Sequence, residues 1–170
     1  MAVNVILFQA GWFACVLGAA YGAPWAGAIA AVALVSWHLR HATLPGREAV
    51  LILVAIALGF AFETAMVRSG WVRFDTGMLV AGTAPYWMVA LWAMFATTLN
   101  ISMRPLRSRP ALAALLGAVG GPLAYYGGAR LGALELVATG AALVAIGVAW
   151  ALITPLLLAM ARRLDGFATP

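Results

Sequence analysis

The sequence predicts an all-α fold, a polytopic bundle of about six transmembrane helices in a single domain over residues 1–170, with both termini cytoplasmic. Three observations carry that reading. No Asp, Glu, Lys or Arg occurs between Met1 and Leu39, and four further long uncharged or nearly uncharged runs follow. The chain is 65% hydrophobic and only 9% charged, with a mean hydropathy of +1.02. Its ten basic residues are all arginines, scattered singly near the ends of the apolar runs. There they act as topology signals. The formal charge of +5 therefore does not point to nucleic acid, and no nucleic-acid partner is expected.

The first span is expected over 3–20. It reads as a retained helix, because Met1-Ala2-Val3 supplies no basic region ahead of the apolar run. Asn4, Gln9, Trp12 and the Gly18/Gly22 pair suit a packed membrane helix. Cys15, the only cysteine, lies inside this run, which excludes an intrachain disulfide and any CxxC site. Tyr21-Gly22-Ala23-Pro24 turns the chain into a second span over 25–39. Arg40, His41, Pro45, Gly46 and Arg47 make the next loop, with Pro and Gly as punctuation.

A third span follows over 49–67 and contains one acid, Glu63. A longer connection with Trp71, Arg73 and Asp75 leads to the fourth span, 85–103, which opens on Pro85. A re-entrant segment at 78–82 is compatible with this pattern. Arg104, Arg107 and Arg109 separate the fourth span from the fifth, 111–128, and the sixth covers 136–161 before Arg162-Arg163. Alternation then puts Arg40, Arg47, Arg104, Arg107, Arg109, Arg162 and Arg163 on the side of the N-terminus, and Arg68, Arg73 and Arg130 opposite. The positive-inside rule makes the first side cytoplasmic. The loops are too short for a soluble domain, so any chemistry happens in the membrane or at its faces.

Glu63 is the sharpest candidate. A carboxylate inside a span costs about 2.5 kcal/mol or more, so it faces the bundle or a water-filled cavity. Arg130 and Arg73 are its expected partners, either as a structural ion pair or as part of a proton or ligand site. Tyr125-Tyr126-Gly127-Gly128-Ala129-Arg130 is the second candidate. It reads as an interfacial aromatic belt or as an anion site at a glycine-loosened helix end. Together with Trp87 these residues predict a ligand cavity in the periplasmic half, lined by Glu63, Trp87, Tyr125, Tyr126 and Arg130. A rival cytoplasmic layer holds Gln9, His38, Thr98 and Asn100. Nothing has metal-ligand spacing, since the two histidines stand alone at His38 and His41. Phosphate-loop and nucleophile-elbow motifs are absent as well, so no metal or cofactor is expected.

Three strings carry a family likeness: Phe8-Gln9-Ala10-Gly11-Trp12-Phe13-Ala14-Cys15, Ala84-Pro85-Tyr86-Trp87 through Asn100, and Gly121-Pro122-Leu123-Ala124-Tyr125-Tyr126 through Arg130. With them the chain resembles, over nearly its whole length, the bacterial inner-membrane family called domain of unknown function 2878. The family has no assigned reaction, so the resemblance transfers no residue roles. Its genes often lie near fatty-acyl-phospholipid methyltransferase-like and flavin-oxidoreductase-like neighbours. That implies membrane lipids as partners, with an auxiliary role in acyl-chain modification or lipid binding beside a peripheral lipid-modifying enzyme. A small-solute or lipid transporter using Glu63 and an intramembrane enzyme are the alternatives. Residues 1–84 and 85–170 show no convincing internal repeat, which weighs against a transporter.

Overall fold

The structure, a computed structural model, describes residues 1–168. It is all-α. Its helices are α1 (Ala2–Ala20), α2 (Trp25–His41), α3 (Pro45–Arg68), α4 (Tyr86–Leu99), α5 (Pro110–Arg130) and α6 (Thr139–Arg163). Hydrocarbon offers no water to the backbone, so each crossing segment satisfies its own N–H and C=O groups by coiling. α1, α3, α5 and α6 are long and apolar enough to cross a membrane, whereas α2 has 17 residues and α4 only 14. At about 1.5 Å per residue, α4 falls short of a bilayer core about 30 Å thick. Loop backbone continues from both of its ends, tied by Tyr86 N–H to the Gly77 carbonyl (2.9 Å), Ala84 N–H to Thr64 Oγ1 (3.1 Å) and Met103 N–H to the Thr98 carbonyl (2.9 Å).

Helices pair in hairpins, α1 on α2, α3 on α4 and α5 on α6, and α4 also touches α1 and α2. Glycines set how closely they approach. A Cβ at Gly59 would fall 2.2 Å from Trp92 Cγ, and one at Gly117 would fall 2.2 Å from the Trp150 carbonyl oxygen. Gly22, at φ +76°, makes the turn between α1 and α2. The apolar side chains inside form two clusters, one around Val16, Phe74, Trp87 and Ile146, the other around Leu51, Trp92, Leu99 and Leu157. Others point outward: Ile6, Val32, Leu53, Leu123, Val144 and Leu152 are exposed on the helix flanks. Outward apolar flanks around a polar-spotted interior suit a lipid surround.

The bundle has two faces. On one, Ser102 donates to Asn4, Arg104 and Arg107 bind Asp165, and Leu44 N–H reaches the Gly166 carbonyl. That face gathers the N-terminus, the loop after α2, the 3-10 helix Arg104–Ser108 and the tail after α6. On the opposite face, β1 (Val72–Arg73) pairs antiparallel with β2 (Glu135–Leu136), a two-residue ribbon that the sequence did not announce. The segment 78–82 forms no re-entrant helix. It is an irregular loop with Leu79 and Val80 exposed.

Candidate functional site

Glu63 points into the bundle from α3 and is fully buried. Its partners are not the expected arginines. Oε1 accepts from Trp92 Nε1 at 2.9 Å and from the Tyr125 hydroxyl, while Oε2 has no partner. Arg73 is instead held across the ribbon by Glu135, with Asp75 3.6 Å away. Arg130 lies exposed in the last turn of α5, five residues beyond Tyr125 and therefore about 140° round the helix. Tyr126 is exposed for the same geometric reason. Trp87 is buried elsewhere, under the loop before α4, where its indole donates to the Thr76 carbonyl at 3.1 Å and packs edge-on to Phe74. Of the five first-choice residues, Glu63 and Tyr125 meet.

A well-formed cavity lies in a different place from the expected one. It measures about 600 Å³ and runs between α1, α4, α5 and α6. Phe8, Gln9 and Trp12 form one wall, Trp92, Phe95 and Thr98 the back. Gly117, Gly120 and Gly121 hollow the α5 side, and Trp150 and Thr154 close the α6 side. None of Glu63, Trp87, Tyr125, Tyr126 or Arg130 lines it. Tyr125 fills the space over Glu63, and Trp92 stacks on Trp150 (centroids 4.7 Å apart) between that carboxylate and the cavity. α1 and α5 barely touch, so the cavity is a groove open sideways between them, backed by α4. Two second-choice residues, Gln9 and Thr98, line it.

The other two, His38 and Asn100, meet at a residue the sequence reading overlooked. Glu48 is fully buried, its Oε2 2.7 Å from His38 Nε2, its Oε1 accepting from Gly166 N–H at 2.8 Å and from the Asn100 amide. Asn100 also donates to the Leu164 carbonyl (3.0 Å) and accepts from Arg107. Arg107 and Arg104 in turn hold Asp165 at 2.9 and 2.8 Å. Phe167 sets its ring edge-on to His38, centroids 5.0 Å apart. The tail 164–167 is thus a strap across the ends of α2, α3 and α4. Burial alone would raise the Asp165 carboxyl, but the Arg107 bond, the Phe167 N–H and the two arginine charges outweigh it and hold the group below its ordinary range. Pro45, at the first helical position, was the available signal for Glu48: it starts α3 early and puts this acid inside the first turns rather than in a loop.

Among the described residues no group of three or more His, Cys, Asp or Glu side chains could hold a metal ion. The network around Glu48 is closed and almost fully bonded. The groove, by contrast, offers space to a molecule.

A family model described as "Protein of unknown function (DUF2878)" matches residues 1–156. Every residue lining the groove falls within that match, whereas the strap lies beyond it. No curated protein and no solved structure matches the chain.

Proposed function

The chain belongs to the DUF2878 family, whose function is unknown, and we propose that it holds a lipid tail in the groove between α1 and α5, serving membrane-lipid modification in the bacterial inner membrane. The groove itself carries this reading. Its volume of about 600 Å³ lies within the roughly 300–1,000 Å³ usual for small-molecule sites. Its walls are aromatic, aliphatic and glycine, with Gln9, Thr98, Ser102 and Thr154 as polar points. A sideways opening at membrane depth admits a molecule from the bilayer rather than from water. A peripheral lipid-modifying enzyme would dock on the arginine-bearing face, which the positive-inside rule assigns to the cytoplasm.

Gly120 gives the direct test. It lines the groove, and a Cβ there would meet nothing within 4 Å, so Gly120→Trp starts a bulky side chain in the open space of the groove. The protein in nanodiscs containing a diazirine-bearing acyl phospholipid should be labelled at Trp12, Leu123 or Trp150 on illumination. Gly120→Trp should remove that labelling and spare labelling of the outer flanks. Labelling confined to the flanks in both proteins would defeat the reading. In cells, deletion of the gene should alter the acyl composition of the lipids.

A second reading, transport coupled to a proton on Glu63, draws on its unpartnered Oε2 and complete burial. An unchanged lipid profile in the deletion strain, with loss of complementation by Glu63→Gln, would favour it.

A further inference from the structure

The groove is not centred in the bundle. On α1 its lining runs from Val5 to Trp12, toward the arginine-bearing face, and on the α4 side it reaches Ser102 and Met103, at that face. Val5 and Trp12 are seven residues apart, about 10 Å along the helix axis. The hydrocarbon of one leaflet is about 15 Å deep. Toward the ribbon the groove ends, for no lining residue lies beyond Trp12 on α1 or beyond Ala124 on α5. The Trp12 ring, edge-on to Phe13 with centroids 5.0 Å apart, comes within 3.7 Å of where a Cβ on Gly127 would stand. Further on, Ala20 comes within 3.8 Å of a Cβ on Gly132. The two ends also differ in polarity. Thr98 and Ser102 line the end at the arginine-bearing face, whereas Trp12, Leu91, Leu123 and Ala124 make the blind end apolar. Arg104 follows Met103 directly and Arg109 caps the start of α5, both exposed.

We infer that the groove takes an acyl chain of a phospholipid from the leaflet on the arginine-bearing face alone, with the chain's methyl end against Trp12, and is closed to the opposite leaflet. The inference rests on the groove reading and adds the leaflet and the direction in which the chain lies. A bilayer lipid keeps its phosphate at the surface and its chain end near the midplane. A groove open at one face and stopped near the midplane fits that arrangement in one leaflet only. A chain from the other leaflet meets the Trp12 ring before it meets the groove. A phosphate above the open end lies at the level of the Arg104 and Arg109 guanidinium groups, which favour such anions. Trp12 is thereby the residue that sets how deep a chain reaches. The glycerol backbone stays on the face where a peripheral enzyme would dock.

Two phospholipids in nanodiscs decide it, one with a diazirine beside the ester of its acyl chain and one with the diazirine beside the terminal methyl. Illumination and peptide mapping of the wild-type protein should place the ester-side label on Val5 or Met103 and the methyl-end label on Trp12, Leu91 or Leu123. Trp12→Ala should carry the methyl-end label through the opened end to Gly127 or Ala20 and leave the ester-side label where it was. Trp12→Phe, which keeps a ring there, should keep the wild-type pattern. Labels in the opposite order, or two probes that mark the same groove residues, overturn the inference on the wild-type protein alone. A methyl-end label that a folded Trp12→Ala protein leaves unmoved overturns it as well. Failure of the groove reading itself shows differently, as labelling by either probe that Gly120→Trp does not reduce.

Discussion

Glu63 sits in hydrocarbon with two neutral donors and no cation, Trp92 and Tyr125 sharing one of its oxygens. Removing the acceptor strands both donors. Glu63→Ala should therefore lower stability in detergent by about 2–4 kcal/mol, whereas Glu63→Gln, which keeps a carbonyl oxygen, should cost about 1 kcal/mol or less. Thermal unfolding measures both, and equal losses would show that the charge rather than the acceptor matters. Asp165 gives a pH prediction of definite sign. Its folded carboxyl titrates below its ordinary range, so its stabilising contribution is complete above the unfolded value, about 3.9, and drains away as pH falls below it. Asp165→Asn should be less stable than wild type at neutral pH and lose less between neutral and strongly acidic pH. Glu63 was legible because a lone acid in a long apolar run must face inward. Its partners were not, since they come from α4 and α5 and depend on which side of α5 faces the bundle. Glu48 escaped notice because its burial is set by Asn100 and Gly166, 52 and 118 residues away.

Helices here approach through glycine, but not every glycine serves that end, and α5 holds both kinds. At Gly117 a Cβ would strike the backbone carbonyl of Trp150, which cannot rotate away. Gly117→Val should wedge α5 from α6 and cost about 2–3 kcal/mol. Gly120 faces the groove, so Gly120→Ala should be neutral or stabilising by up to about 1 kcal/mol through helix propensity. Unfolding midpoints that rank the two alike would contradict the packing described. Apolar runs revealed where α1, α2, α5 and α6 lie, because the bilayer sets their length. The start of α3 at Pro45 and the end of α4 at Leu99 were harder to place. Both ends are fixed by buried polar bonds between distant segments, which leave no mark on local hydropathy.

Across the whole molecule, Arg40, Arg47, Arg104, Arg107, Arg109, Arg162 and Arg163 stand on the face with the N-terminus, and Arg68, Arg73 and Arg130 on the ribbon-bearing face. That imbalance predicts the first face in the cytoplasm. Alkaline phosphatase fused after the last residue should be inactive, and a green fluorescent protein in its place bright. An active phosphatase would invert the orientation and, with it, the face offered to a peripheral enzyme. The strap across that face also has a meaning in time. Gly166 is made 118 residues after the carboxylate it binds, so Glu48 enters the bilayer edge long before its last ligand leaves the ribosome. Insertion of α3 and the sealing of its first carboxylate are thus separate events, and every newly made copy passes through an interval with α3 threaded but Glu48 still unsealed. A message cut short after Arg163 would leave the protein in that interval, its open end displayed to the proteases that patrol the membrane surface.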